Sequence, residues 1–446
     1  MTARRPGLIA LGLALLSAGA ALADPCPGGE TALHAAIARS LTDDAALLKA
    51  RGVGGLELEA SPAEVVALMA ETFALTPSRE HLLIYSQTDT GLCALVFDGQ
   101  AVIAASGRPG QTTQTLTTAR LALSDALRVT ARQVERAGQL RGAAALTETA
   151  NDPPDAGTAA ALLADRLMLP DLAPALTGAD EILILPTQDI GTVPFALLPL
   201  ADGMVIDHAP VTVLPSVAAL VRQPDMLTRG LSALPTTAPV AFTPVWTGAV
   251  VVGDPEAADD PDWAFPPLPG ARSEARLIAD RFGTSPLIGP DATPDAVLTA
   301  LSQPVDLVYF AAHGISSDAD PLTHSFLALS GGRLTAGQVQ TLSLPNHPLV
   351  VLSACQSGLG QSHAGGTIGL SRAFVLAGAS AVVSTLWNVN DRATLDLMRD
   401  FSAALTDQRP TDALRQAMLA ARDRSPDDPA LWAGVMLFGG ISLLAD

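Results

Sequence analysis

The residues best able to do chemistry are a histidine and a cysteine that follow two matching apolar runs. Asp306-Leu307-Val308-Tyr309-Phe310-Ala311-Ala312 leads into His313-Gly314, and Leu349-Val350-Val351-Leu352-Ser353-Ala354 leads into Cys355-Gln356-Ser357-Gly358. Continuous apolar, β-branched runs of this length are the pattern of parallel strands buried on both faces. Residues just past such strands emerge at the carboxyl edge of an open sheet, where ligand sites form. If the two strands are neighbours, His313 and Cys355 face one crevice. A thiolate is a nucleophile, and an imidazole beside it takes its proton or delivers one to a leaving amine. Gly314 would let a substrate approach the backbone closely. The backbone N–H groups of Gly314 and Cys355 could together hold an oxyanion. The competing reading is a buried cysteine and a strand-end histidine, a common fate of both residue types.

Rival residues weaken on inspection. His324 and His363 lie near these motifs, in polar stretches where a solvated loop histidine is the simpler account. Asp318 reads as a turn residue. Asp320 stays open between a turn and a site that selects a basic group. Trp387 and Asp391 follow the next apolar run; Trp387 could line a substrate pocket, and Asp391 more simply opens a helix over 392–405. Gly369-Leu370-Ser371-Arg372-Ala373 has the outline of a serine-hydrolase elbow, but no strand precedes it, so Ser371 belongs inside a helix over 367–377. No metal-ligand spacing is present, and neither a metal nor an organic cofactor is expected.

The elements that must position His313 and Cys355 alternate. A helix is predicted over 159–169, with strands over 181–186, 249–253, 306–312, 348–354 and 381–386. Helices are predicted over 273–282, 295–301 and 367–377. This is an α/β chain with a mostly parallel sheet flanked by helices. Ahead of it come strand-like runs over 81–87, 91–97 and 101–106, an antiparallel meander with turns at Asp89-Thr90-Gly91 and Asp98-Gly99, then an amphipathic helix over 116–137. Residues 31–48 are helical, and Ser61-Pro62-Ala63-Glu64 is a capping box that starts a further helix to about residue 73. Residues 223–247, rich in Pro and Thr, read as a loop.

The chain has 446 residues and a net charge of −19. That acidity repels phosphate backbones and argues against nucleic acid as a partner. Mean hydropathy is +0.33, yet no stretch past the N-terminus reads as a membrane span. Arg4 and Arg5 precede an apolar stretch and Ala21-Leu22-Ala23, the layout of a secretory signal peptide over residues 1–23. The expected location is the periplasm or the exterior. Three cysteines are too few for a disulfide scaffold. Cys26 and Cys93 are a candidate pair in an oxidising compartment, although spacing does not decide it. Pairing them would leave Cys355 as the odd thiol.

An ordered series of motifs resembles the CHAT domain family, of the caspase-like cysteine-peptidase group that also holds caspases, metacaspases and separase. It runs through Ile184-Leu185-Pro186, Val193-Pro194-Phe195-Ala196-Leu197-Leu198-Pro199 and Leu268-Pro269-Gly270-Ala271-Arg272-Ser273-Glu274-Ala275. It continues with Ala311-Ala312-His313-Gly314, Asp320-Pro321-Leu322, Leu334-Thr335-Ala336, Leu352-Ser353-Ala354-Cys355-Gln356-Ser357-Gly358 and Gly369-Leu370-Ser371-Arg372-Ala373-Phe374. Ser384-Thr385-Leu386-Trp387-Asn388-Val389-Asn390-Asp391 and Trp432-Ala433-Gly434 close it. The resemblance implies a caspase-like fold, a catalytic dyad of His313 and Cys355, and peptide-bond hydrolysis of a protein or peptide substrate. Metacaspase-like enzymes carry an acidic residue two before the cysteine, at the wall of the substrate pocket. Here that residue is Ser353, so basic specificity does not follow. Many relatives carry tetratricopeptide arrays ahead of the domain; here the helical segment over 24–78 is expected there, so substrate recruitment by repeats does not follow. The expected organisation is a signal peptide (1–23), a helical segment (24–78) and a CHAT domain (79–446), divided into meander plus helix (79–150) and α/β core (151–446). The competing function is a peptidase-like binding or regulatory module of the envelope. Oligomeric state is not legible.

Overall fold

The computed structural model describes residues 24–51, 60–75, 78–135, 155–217, 246–257, 260, 262–263 and 265–439. The expected signal peptide and nearly all of the expected loop over 223–247 lie outside them. Eleven strands form one sheet. Their order is Val102–Pro109, Gly91–Phe97, Glu80–Thr88, Glu181–Leu185, Val211–Val213, Val435–Gly439, Ala381–Thr385, Leu349–Ser353, Leu307–Ala311, Ala249–Pro255 and Leu287–Gly289. Most pairings are parallel, as the buried apolar runs predict. Val435–Gly439 runs antiparallel to Ala381–Thr385 and parallel to Val211–Val213, so two parallel blocks of opposite direction meet there. The meander over residues 80–109 is not a separate layer. Its first strand pairs directly with Glu181–Leu185 and extends the sheet.

Period-two alternation divides the strands between two apolar layers. Val308, Phe310, Val350 and Leu352 pack on one face with Ala373 and Phe374. Leu307, Tyr309, Ala311, Leu349 and Val351 pack on the other with Ile278 of helix Pro269–Arg281 and Leu397 and Phe401 of helix Asp391–Ala404. A third layer holds the N-terminal helices Glu30–Ala50 and Pro62–Leu75 against the meander. The Ser61 capping box is present: Glu64 Oε2 accepts the Ser61 N–H at 2.7 Å, and Ser61 Oγ accepts the Glu64 N–H at 3.3 Å. Cys26 and Cys93 are joined as a disulfide, with Cα atoms 4.9 Å apart. Arg372 pairs with Asp44 of the first helix at 3.4 Å, both side chains buried.

Two expected elements change. The helix over 159–169 is two helices, Ala156–Arg166 and Leu169–Leu176, with left-handed Met168 between them. The helix over 367–377 starts only at Leu370. Before it, Gln361–His363 and Gly366–Ile368 form a hairpin. Gly366 has φ +105°, which turns the chain back where a helix would otherwise begin.

Candidate active site

The two key strands are parallel neighbours, with Leu307 opposite Leu349 and Ala311 opposite Ser353. His313 and Cys355 each stand two residues past that last pair. Equal offsets beyond an in-register pair bring both to the same stretch of the sheet's edge, and Cys355 belongs to the layer that holds Ala311 and Val351. Gly314 permits the close approach: a Cβ there would lie 2.8 Å from the Cys355 carbonyl oxygen and 3.1 Å from Ala354 Cβ.

Each side chain is held by backbone. The carbonyl oxygen of Pro266 lies 2.7 Å from His313 Nε2. A carbonyl only accepts, so Nε2 carries the proton and the tautomer is fixed. The Phe265 ring packs on the imidazole with centroids 5.0 Å apart. The N–H of Val389 donates to Cys355 Sγ at 3.3 Å, a contact that favours the thiolate. Cys355 is fully buried, and His313 is 2% exposed.

The turn after the cysteine is strongly determined. Gln356 has φ +56°, a left-handed conformation that costs about 1–2 kcal/mol in a side-chain-bearing residue. Its N–H donates to Trp387 O at 3.4 Å, and Gly358 N–H donates to Thr385 O at 2.8 Å. Ser357 Oγ donates to Leu352 O at 3.1 Å and accepts the Thr385 N–H at 3.1 Å. Ser371 lies inside a helix, as expected, and its hydroxyl donates to Ser357 O at 3.0 Å. A strand, Gly366–Ile368, does stand just before this segment, against expectation, but the Ser371 hydroxyl is engaged in bracing the cysteine turn.

Other candidate residues are placed differently. Ser353 is wholly buried in the sheet and does not face solvent as a pocket wall. The Trp387 ring is also turned inward: Nε1 donates to Ala430 O at 2.9 Å, and a Cβ on Gly434 would fall 2.5 Å from the ring. The Trp387 carbonyl accepts the Gln356 N–H in the cysteine turn. Asp320 caps the short helix Pro321–His324, accepting the Thr323 N–H at 3.2 Å, which draws its carboxyl below the ordinary carboxylate value. His324 is exposed and lies 3.2 Å from Asp320. Both sit in the loop that closes the hairpin of Gly314–Ile315 and Phe326–Leu329. His363 accepts the Gly365 N–H at 3.2 Å in the hairpin beyond the cysteine turn. Asp391 opens its helix as the first residue, as expected, with Asn390 as the cap, and the Asp391 carboxylate takes the N–H groups of Gly270 and Ala271.

Phe265, Pro266 and Val389 were not found by sequence reasoning as site residues. Two act through backbone atoms, which every residue type carries, so no residue-type signal marks them. Among the described residues, no three His, Cys, Asp or Glu side chains converge as a metal set.

The CHAT domain model matches residues 158–440. The chain belongs to the CHAT domain family. The match begins after the meander, whereas the sequence reading starts the domain at residue 79. Human tetratricopeptide repeat protein 28 is 30% identical over 242 residues, and its mouse counterpart 28%. Each alignment covers 45% of this chain and 10% of the relative's length. Among solved structures, the Arg-specific cysteine proteinase gingipain R is similar at a TM-score of 0.41 and 11% identity, over 62% of this chain and 68% of that one. The Saccharomyces cerevisiae separase in complex with securin is similar at 0.40 and 12%, over 59% and 16%. No described helix of this CHAT-domain protein is long and apolar enough to cross a membrane.

Proposed function

We propose that this CHAT-domain protein is an exported cysteine endopeptidase. Cys355 Sγ attacks the scissile carbonyl carbon of a protein or peptide substrate, and its proton passes to His313. Collapse of the tetrahedral intermediate breaks the C–N bond, and the imidazolium returns the proton to the leaving amine. Water then hydrolyses the thioester and frees Cys355. With Nε2 held by Pro266, proton exchange falls to Nδ1. The backbone N–H groups of Gly314 and Cys355 are the proposed oxyanion donors.

One observation carries the reading: in-register pairing of adjacent parallel strands sets His313 and Cys355 at equal offsets past Ala311 and Ser353. The Cys26–Cys93 disulfide supports passage through an oxidising compartment, periplasmic or extracellular. Cys355 stands outside that disulfide.

Complete burial of Cys355 favours a second reading, a partner-docking module that keeps the dyad without turnover. A thiol-directed activity probe on the purified protein lacking residues 1–23 separates the two. Labelling abolished by Cys355→Ala and by His313→Ala supports the peptidase. Labelling indifferent to His313, or peptide hydrolysis that survives Cys355→Ala, overturns it.

A further inference from the structure

Two irregular segments from distant parts of the chain touch the dyad. Phe265 and Pro266 reach His313, through the ring contact at 5.0 Å and the carbonyl at 2.7 Å. Trp387 and Val389 reach the cysteine, through the Gln356 N–H at 3.4 Å and the sulfur at 3.3 Å. Irregular backbone holds such atoms in place only when neighbouring groups fix it.

Asp391 ties the segments together. It stands two residues past Val389, and its carboxylate accepts the Gly270 N–H at 2.6 Å and the Ala271 N–H at 3.0 Å. Those groups open helix Pro269–Arg281, directly after the segment bearing Phe265 and Pro266. The fit leaves no slack: a Cβ on Gly270 would lie 2.3 Å from Asp391 Oδ2. Asp391 is buried, so the bonds to its carboxylate are shielded from competing water. A second buried carboxylate grips the same segment. Asp254, at φ +44°, accepts the Leu268 N–H at 2.6 Å and Arg272 Nε at 2.7 Å.

We propose that Asp391 is a positioning residue for the dyad, locking the segment that orients His313 to the segment that donates to Cys355. The inference rests on the cysteine-peptidase reading and deepens it. An imidazolium whose Nε2–H keeps its carbonyl acceptor is more stable, and so is the thiolate paired with it. When the segment slackens, both lose that support.

The test compares Asp391→Ala with Asp155→Ala. Asp155 also accepts two N–H groups of a helix's first turn, those of Gly157 and Thr158, on a helix bearing neither segment. Each change removes the acceptor of two such N–H groups. For Asp391→Ala, kcat on a peptide substrate should fall about 10- to 100-fold, with KM held within about twofold. Iodoacetamide alkylation of Cys355 is then measured at about pH 7 and about pH 9.5. The ratio of the two rates cancels access and reports the thiolate fraction; it should fall roughly fivefold or more. Asp155→Ala should move neither quantity. Should Asp391→Ala not fold, Asp391→Asn keeps an acceptor for one N–H and should show a smaller change of the same sign. An unchanged ratio in either Asp391 variant, or the same change in Asp155→Ala, overturns the inference. A wild type without peptide hydrolysis defeats the peptidase reading alone, because the alkylation ratio still decides the positioning role.

Discussion

Gly314→Ala puts one methyl group where the histidine strand meets the cysteine turn. The new Cβ would stand 2.8 Å from the Cys355 carbonyl oxygen, where ordinary contact begins near 3.4 Å. The obstacle is backbone and cannot swing aside as a flexible side chain would. The strand end and the turn must part by about 0.6 Å. Overpacking of this kind costs about 1–3 kcal/mol. Restricting the unfolded chain returns up to about 1 kcal/mol. The expected net loss is about 1–2 kcal/mol. A misplacement of 1 Å costs about 100-fold in rate, so 0.6 Å should lower kcat roughly 10- to 20-fold. Denaturant unfolding and kcat are measured on the same preparation. Gly178→Ala is the control, since nothing lies within 4 Å of its added Cβ. That control should stay within about 0.5–1 kcal/mol of wild type at full rate. A Gly314→Ala variant as stable and as active as wild type would show that the two strand ends are not in contact, and the dyad geometry with them.

Two further predictions bear on the frame. The Cys26–Cys93 bond closes a loop with a sequence separation of 67, so Cys26→Ala with Cys93→Ala should cost about 4 kcal/mol. Thiol titration of unreduced, denatured wild type should find only Cys355; three thiols per chain would refute the pairing. Glu181 is buried, and burial pushes its carboxyl up, with Arg409 at 3.1 Å opposing only in part. A raised folded-state value means stability lost as pH rises through that value and regained as pH falls toward the unfolded one, about 4.3. Glu181→Gln removes this dependence. Its stability relative to wild type should be highest near neutral pH and fall as pH drops toward about 4.3. A difference that does not vary with pH would contradict the assignment.

Much of the fold was legible because its strands are buried on both faces and so carry unbroken apolar runs. Leu307–Ala311 and Leu349–Ser353 were read almost to the residue, as was the Ser61 cap, which is local chemistry. The hairpin over 361–368 was missed because Thr367 and Ile368 suit a helix pattern as well as a strand. Only the Gly366 backbone angle and the chain packed against it choose the strand.

The sequence by itself determined the residue types and their order: a histidine and a cysteine at strand ends, glycine where contact must be close, and a family signature across residues 158–440. The tertiary structure decided what the residues do to one another. It made the two strands in-register neighbours, buried Ser353 and the Trp387 ring, and turned the Asp391 carboxylate from its own helix to another. It also recruited Pro266 O and the Val389 N–H. The physical reason is that every residue carries the backbone C=O and every residue but proline the N–H, so their use is set by which segments pack together and hardly by residue identity.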